Sequence, residues 1–270
     1  MAQAQGFCVF CGRPGLTKQH IVPDRLSAIL GRPDVVSPQL KLRSESQPER
    51  FDVVDDDLII KQGAFHIKKL RIVCGEHCNS GWMRALEERA SSVFEPLVRG
   101  QSLYLSADQQ HLLAAWASQI AMVAEYTDPE YAAISQADRT HLMINGEPPP
   151  NWRIWLGHFL GKDKNDSSYN HHGLIQPYLD WTIKNDKNLA TVQTSTITLS
   201  RLVFHCFSER RRGSFRYNVE EKCRGIIPIW PIKTENLNWK KAGSMNEADR
   251  NWLSMSLPGL AHAQNKESRR

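Results

Sequence analysis

Two close cysteine pairs frame a histidine in the first eighty residues. In order they are Cys8-Val9-Phe10-Cys11, then Gln19-His20-Ile21-Val22-Pro23, then Cys74-Gly75-Glu76-His77-Cys78-Asn79. Thiolates delivered by two tight turns suit a tetrahedral ion, and zinc in a structural role is the expected one. Three residues separate Cys74 from Cys78. The expected ligand set is therefore Cys8, Cys11, Cys74 and Cys78, with His77 as a substitute that keeps the set tetrahedral. His20 offers different chemistry. A neutral imidazole near pH 7 accepts a proton from an attacking water when its other nitrogen is held. Asn79 can turn a side-chain oxygen to Mg²⁺ or Mn²⁺, hard ions that take oxygen ligands, and Gln19 is a weaker candidate for the same ion.

The elements that must position these groups can be read from period and punctuation. Residues 6 to 30 read as a knuckle, an extended segment ending at His20 and a turn at Pro23. From 31 to 62 the composition becomes loop-like, with Pro33, Pro38, Pro48 and the acidic run Asp55-Asp56-Asp57, and is taken as an insertion. Residues 65 to 73 alternate as a strand does. Trp82, Leu86, Ala90 and Phe94 recur in steps of four, which predicts a helix with Asn79 near its start. Ser106-Ala107-Asp108-Gln109 is a capping-box pattern for a second helix to about Tyr126. Asp128-Pro129 predicts a third, ending before Gly146.

Beyond Pro148-Pro149-Pro150 the period changes. Residues 152 to 159 and 191 to 207 read as strands, with a turn at 210 to 214 before a further strand from Phe215 to Val219. The polar stretch 161 to 173, with His171-His172, reads as an exposed loop. The expected class is α+β: a zinc-stabilised ββα unit over 1–95 with the insertion at about 31–62, a helical segment over 96–150, a small antiparallel sheet in a mostly β domain over 151–260, and a frayed tail over 261–270.

Composition narrows the setting. With 270 residues and 41% hydrophobic content, the chain is long and apolar enough for a real core. Six cysteines, four in knuckles, do not form a secreted disulfide framework, and a reducing cytoplasm is expected. The N-terminus lacks a basic-then-apolar signal, and the longest nearly apolar run, Leu112 to Ala124, is too short to span a bilayer. A formal charge of +5 favours polyanionic partners without specifying chemistry. Lys68, Lys69 and Arg71 are the nearest phosphate contacts to His20, and Arg210, Arg211 and Arg212 offer a second cluster at the expected hairpin tip.

The pairing of Gln19-His20-Ile21-Val22-Pro23 with Cys74-Gly75-Glu76-His77-Cys78-Asn79-Ser80-Gly81-Trp82-Met83 resembles the HNH endonuclease family over about the first ninety residues. Within it the chain looks most like a bacterial and phage branch with Cys-Asn, a small residue, Gly-Trp-Met and then Leu-Glu, here Leu86-Glu87. The resemblance implies a ββα-metal finger with a four-cysteine zinc knuckle. It further implies a DNA-cleaving, metal-dependent hydrolase with His20 as general base, and products with 5′-phosphate and 3′-hydroxyl ends. RNA stays open as a substrate, and a double-strand break requires a homodimer or two visits.

The sequence also departs from that family. The residue before the histidine is ordinarily Asp or Glu and is here Gln19; the middle Asn falls at Lys69. A missing carboxylate could come from Glu76, Glu87 or the run Asp55 to Asp57. Alternatives stand beside the enzyme reading: a zinc-stabilised nucleic-acid-binding module whose catalytic site has decayed, or a protein-interaction module with the finger as scaffold. Individual residues have plainer readings too. His20 reads alternatively as a structural histidine, Asn79 as a helix cap, the Arg210–Arg212 cluster as a solvated tip, and Cys206 and Cys223 as small core residues.

Overall fold

The computed structural model describes residues 6–31, 39–46, 53–61, 64–129, 132–161, 166–175, 191–210, 215–241 and 243–257. Arg211, Arg212 and the tail 261–270 lie outside the described residues. The chain is a mixture of α and β, with six α-helices among the described residues.

Its N-terminal part is an antiparallel pair, β1 (Leu16–His20) against β4 (Lys69–Cys74), with α1 (Asp24–Leu30) between them in sequence. In register, His20 stands opposite Lys69 and Gln19 opposite Leu70. After β4 an irregular helical segment, Gly75–Met83, carries the second cysteine pair and runs into α2 (Arg84–Val98). The sequence pattern places the start of that helix near Asn79, whereas the helical turns begin four residues earlier. They break at Gly81, where φ is −94° and ψ −116°. A side chain there would meet the Glu76 carbonyl oxygen at 3.0 Å, so the break needs a residue without one.

The capping box at Ser106 is present and opens α3 (Ala107–Ala124), with Ser106 Oγ accepting from Gln109 N and Gln109 Oε1 accepting from Ser106 N. The third helix is shorter than its sequence signal: α4 (Gln136–Asn145) starts after Ser135, which caps it, and not at Asp128-Pro129. The reason lies in tertiary structure. The buried Glu125 carboxylate accepts from Ala133 N and Ile134 N and pairs with buried Arg139, holding that stretch out of helical form. Gly146 ends α4 in the left-handed conformation, φ 66°, as a C-terminal glycine does.

The main sheet differs from the small antiparallel one expected. It has seven strands in the order β10 (Ile226–Trp230), β6 (Trp152–His158), β9 (Leu202–Glu209), β8 (Val192–Leu199), β7 (Ser167–Ile175), β2 (Gln39–Ser46) and β3 (Val53–Lys61). All its junctions are antiparallel except β2 with β7, which is parallel. Within the stretch read as a loop-like insertion, the described residues Gln39–Ser46 and Val53–Lys61 are thus an antiparallel strand pair that extends this sheet. A two-stranded pair, β5 (Tyr104–Ser106) with β11 (Asn236–Asn238), lies apart from it.

Strands β8 and β9 are buried along their whole length because the sheet is covered on both faces. On one face Phe204 and Cys206 join a cluster with Trp116 of α3 and Phe94 of α2, whose rings stack 4.2 Å apart. Cys8, Phe10, Val73 and Met83 of the N-terminal part belong to that same cluster. On the other face Val203 and Phe207 pack with Phe215, Tyr217 and Leu253 of α6 (Glu247–Ser254). Each large side chain removed from water contributes on the order of 2–3 kcal/mol. Phe215 and Tyr217 are buried in this layer, but the segment is not the strand predicted there. A tight turn falls at Ser200-Arg201, with Ser200 at φ 55°. Cys206 and Cys223 are buried free thiols, as small core residues should be.

Candidate functional site

The first knuckle is a tight turn. Gly12 N donates to Cys8 O and Cys8 N to Arg13 O, both at 2.9 Å, and Gly12 takes φ 69°, which favours a glycine. The second knuckle is pressed against β1: a Cβ on Gly75 would stand 2.9 Å from Thr17 Cγ2. Together the turns bring four sulfurs within 4.8 Å of one another. Cys8 and Cys78 are 3.6 Å apart, Cys11 and Cys74 3.4 Å. A tetrahedron with metal–sulfur bonds near 2.3 Å has edges of about 3.8 Å, so the spacing fits. These four cysteines could hold a metal such as zinc. His77 is exposed and outside the quartet. The wider spacing of the second pair is absorbed by the irregular helical turns, so a substitute ligand is not needed.

Beside the quartet lies a groove of about 570 Å³ lined by Gln19, His20, Asp24, Asn79, Arg84 and Glu87, among others. His20 stands at the end of β1, and Asp24, the first residue of α1 beyond the bend at Pro23, places Oδ1 2.8 Å from His20 Nδ1. The approach is off the in-line hydrogen-bond direction, so it is a close contact that becomes an ion pair only when the imidazole is protonated. Burial pushes the His20 pKa down, the Asp24 charge pulls it up and Lys69 pushes it down, with a net decrease. At neutral pH the imidazole is therefore uncharged, with Nδ1 against Asp24 and Nε2 as the remaining nitrogen.

Asn79 is not a helix cap. Its Nδ2 donates to Thr17 Oγ1 at 2.8 Å and to Lys18 O at 3.2 Å, tying the second knuckle to β1. The amide oxygen is the atom left over. Gln19 is buried, 3% exposed, and its Nε2 donates to His20 O at 2.8 Å and to Glu87 Oε1 at 3.2 Å. Gln119 of α3 also donates to Glu87 Oε1, at 2.8 Å. Burial raises the Glu87 carboxyl to about 7 against the pull of those two amides.

Of the predicted phosphate-binding residues, Lys69 and Arg71 are exposed on β4, and Lys69 faces His20 across the pair. Lys68 is half-buried just before β4, and its carbonyl accepts from Ile21 N. Arg210 is exposed at the end of β9, more than a hundred residues along the chain and on a different sheet from the groove. Sequence reasoning does not single out Asp24, Arg25 or Arg84 as groove residues. Asp24 lies close to His20 along the chain, and the bend at Pro23 between β1 and α1 brings the two together. Arg25 pairs with Glu95, and Arg84 with Glu88 at 2.7 Å.

His171 and His172 do not lie in an exposed loop. They sit in β7, 2% and 1% exposed, and His171 Nδ1 lies 3.0 Å from Ser195 Oγ. No described helix is long and apolar enough to cross a membrane. Comparisons with protein-family models, with curated proteins and with solved structures found no match.

Proposed function

We propose that the chain is a metal-dependent endonuclease that hydrolyses DNA phosphodiester bonds, with His20 as general base, a structural zinc on Cys8, Cys11, Cys74 and Cys78, and a catalytic Mg²⁺ or Mn²⁺ in the groove. The observation that carries this reading is the placement of His20. One nitrogen lies buried against Asp24, the other is left for a water, and Asn79 lines the same groove. A base needs that arrangement: neutral at working pH, oriented by its second nitrogen, and next to a group that can hold an ion.

The antiparallel β1–β4 pair followed by α2 supports the resemblance to HNH endonucleases, as does the cysteine quartet. The zinc would fix the turn that carries Asn79 relative to the strand that carries His20. The ion in the groove would supply charge to the phosphoryl and leaving oxygens. Lys69 and Arg71 would hold the neighbouring phosphates. By the resemblance, cleavage leaves 5′-phosphate and 3′-hydroxyl ends, one strand per site.

A second reading, a zinc-stabilised nucleic-acid-binding module with a decayed site, draws on Gln19, whose amide nitrogen is committed to His20 O and Glu87. The test is incubation of zinc-loaded protein with supercoiled plasmid in Mg²⁺, Mn²⁺ or EDTA. Nicking that needs the divalent ion and leaves ligatable ends supports the nuclease. Salt-dependent binding without cleavage under either ion supports the module.

A further inference from the structure

We propose that Glu87 is a ligand of the divalent ion, filling the role of the carboxylate that the residue before His20 lacks; this rests on reading the groove as a phosphodiester-cleaving site. Glu87 lies in the first turn of α2 and lines the same groove as His20 and Asn79. Two amides, Gln19 Nε2 and Gln119 Nε2, both donate to its Oε1. Paired donors on one oxygen fix the carboxylate's orientation. Both fall on Oε1, which leaves Oε2 as the oxygen to offer an ion.

A second observation points to a cation at the same place. With its nitrogen so committed, Gln19 has a buried Oε1 with no hydrogen-bond partner among the described residues, on a residue 3% exposed. A buried acceptor left unmade costs about 1–3 kcal/mol, and a neutral carbonyl oxygen is a ligand type that hard ions accept. Two other groove carboxylates are engaged by a nitrogen base or a cation: Asp24 lies against His20, and Glu88 against Arg84. The partners of Glu87 among the described residues are neutral amides. The negative charge expected at position 19 is thus supplied 68 residues later, from the helix that faces it.

The test is Mn²⁺ titration of the zinc-loaded full chain, with free Mn²⁺ read by electron paramagnetic resonance, for the parent, Glu87→Gln and Glu88→Gln. Glu87→Gln should weaken Mn²⁺ binding by at least about tenfold, the lower end of what removing even a residue that only supports a ligand costs. Its zinc content and unfolding midpoint should match the parent, and Glu88→Gln should bind as the parent does. Parental Mn²⁺ affinity in Glu87→Gln overturns the assignment. If Glu87→Gln does not fold, Fe²⁺ with ascorbate and peroxide on the unaltered protein replaces it. Backbone cuts at both Gln19–His20 and Glu87 are expected, and cuts that spare Glu87 overturn the assignment. A parent that binds Mn²⁺ through Glu87 yet leaves DNA intact refutes the nuclease and leaves the ligand standing.

Discussion

His20 Nδ1, at the end of β1, lies 2.8 Å from Oδ1 of Asp24, the first residue of α1, across the bend at Ile21–Pro23. The carboxylate orients the ring and attracts its protonated form. Replacing Asp24 by Asn removes both effects. The His20 pKa, already below its ordinary 6.5, should fall further. A general base works in its neutral form, so the rate rises with pH and levels off above that pKa. The acid limb of kcat/KM therefore lies below pH 6.5 in the parent and moves to lower pH in Asp24→Asn. The plateau should drop as well, by less than the roughly 10²–10⁴-fold of losing the base outright. Initial rates of plasmid nicking from pH 5 to pH 8 test this.

The cysteine quartet, read as a zinc site, makes a sharper prediction about His77. Cys78→Ala should lose the metal, and His77→Ala should retain one zinc per chain, because His77 is exposed and the sulfur of Cys78 completes the set. Metal analysis of the purified variants decides it. Cobalt substitution should give the intense visible bands of tetrahedral thiolate coordination. Chelation should destabilise the region around the quartet strongly, since zinc binding in small zinc-finger peptides contributes on the order of 10–16 kcal/mol at pH 7.

Lys69 and Arg71 share the exposed side of β4, one of them opposite His20. Removing one cation from a DNA phosphate should reduce the slope of log K against log salt by about 0.9. Fluorescence anisotropy with duplex DNA should therefore show a slope smaller by about 1.8 in a Lys69→Ala, Arg71→Ala double variant. An unchanged slope would remove β4 from the DNA-facing surface.

Far from the groove, His205 is fully buried between Thr196 Oγ1 at 2.9 Å and the Tyr217 hydroxyl at 2.6 Å. Burial pushes its pKa down to about 3. The folded state then binds fewer protons than the unfolded one, so this contribution to stability is complete above pH 6.5 and is lost as pH falls towards 3. Urea unfolding of His205→Gln, compared with the parent, should show a shallower loss of stability between about pH 6.5 and pH 5.

Much of the cysteine quartet was legible because cysteine spacing is local and chemically specific, and the four predicted ligands come together. The helices at Trp82–Phe94 and after Ser106 were legible for similar reasons, periodicity and a capping box. Strand β7 was not. Its Ser-Ser-Tyr-Asn-His-His run looks like a loop by polarity. It is buried, and several of those side chains find partners there, as Asn170 does with Ser254 of α6 and His171 with Ser195 of β8, both at 3.0 Å. The pair of β2 and β3 escapes sequence reasoning because its pairing to β7 joins segments more than a hundred residues apart. Glu87 was one carboxylate among several candidates in the sequence, and only its hydrogen bonds with Gln19 and Gln119 distinguish it.

The most direct measurement is the single-turnover rate of nicking of supercoiled plasmid by zinc-loaded parent and His20→Ala, in Mg²⁺ and in Mn²⁺. The nuclease reading predicts cleavage that requires the ion and falls by about 10²–10⁴-fold in the variant. Equal rates in the two proteins, or no cleavage by folded, zinc-bound parent with either ion, would contradict it.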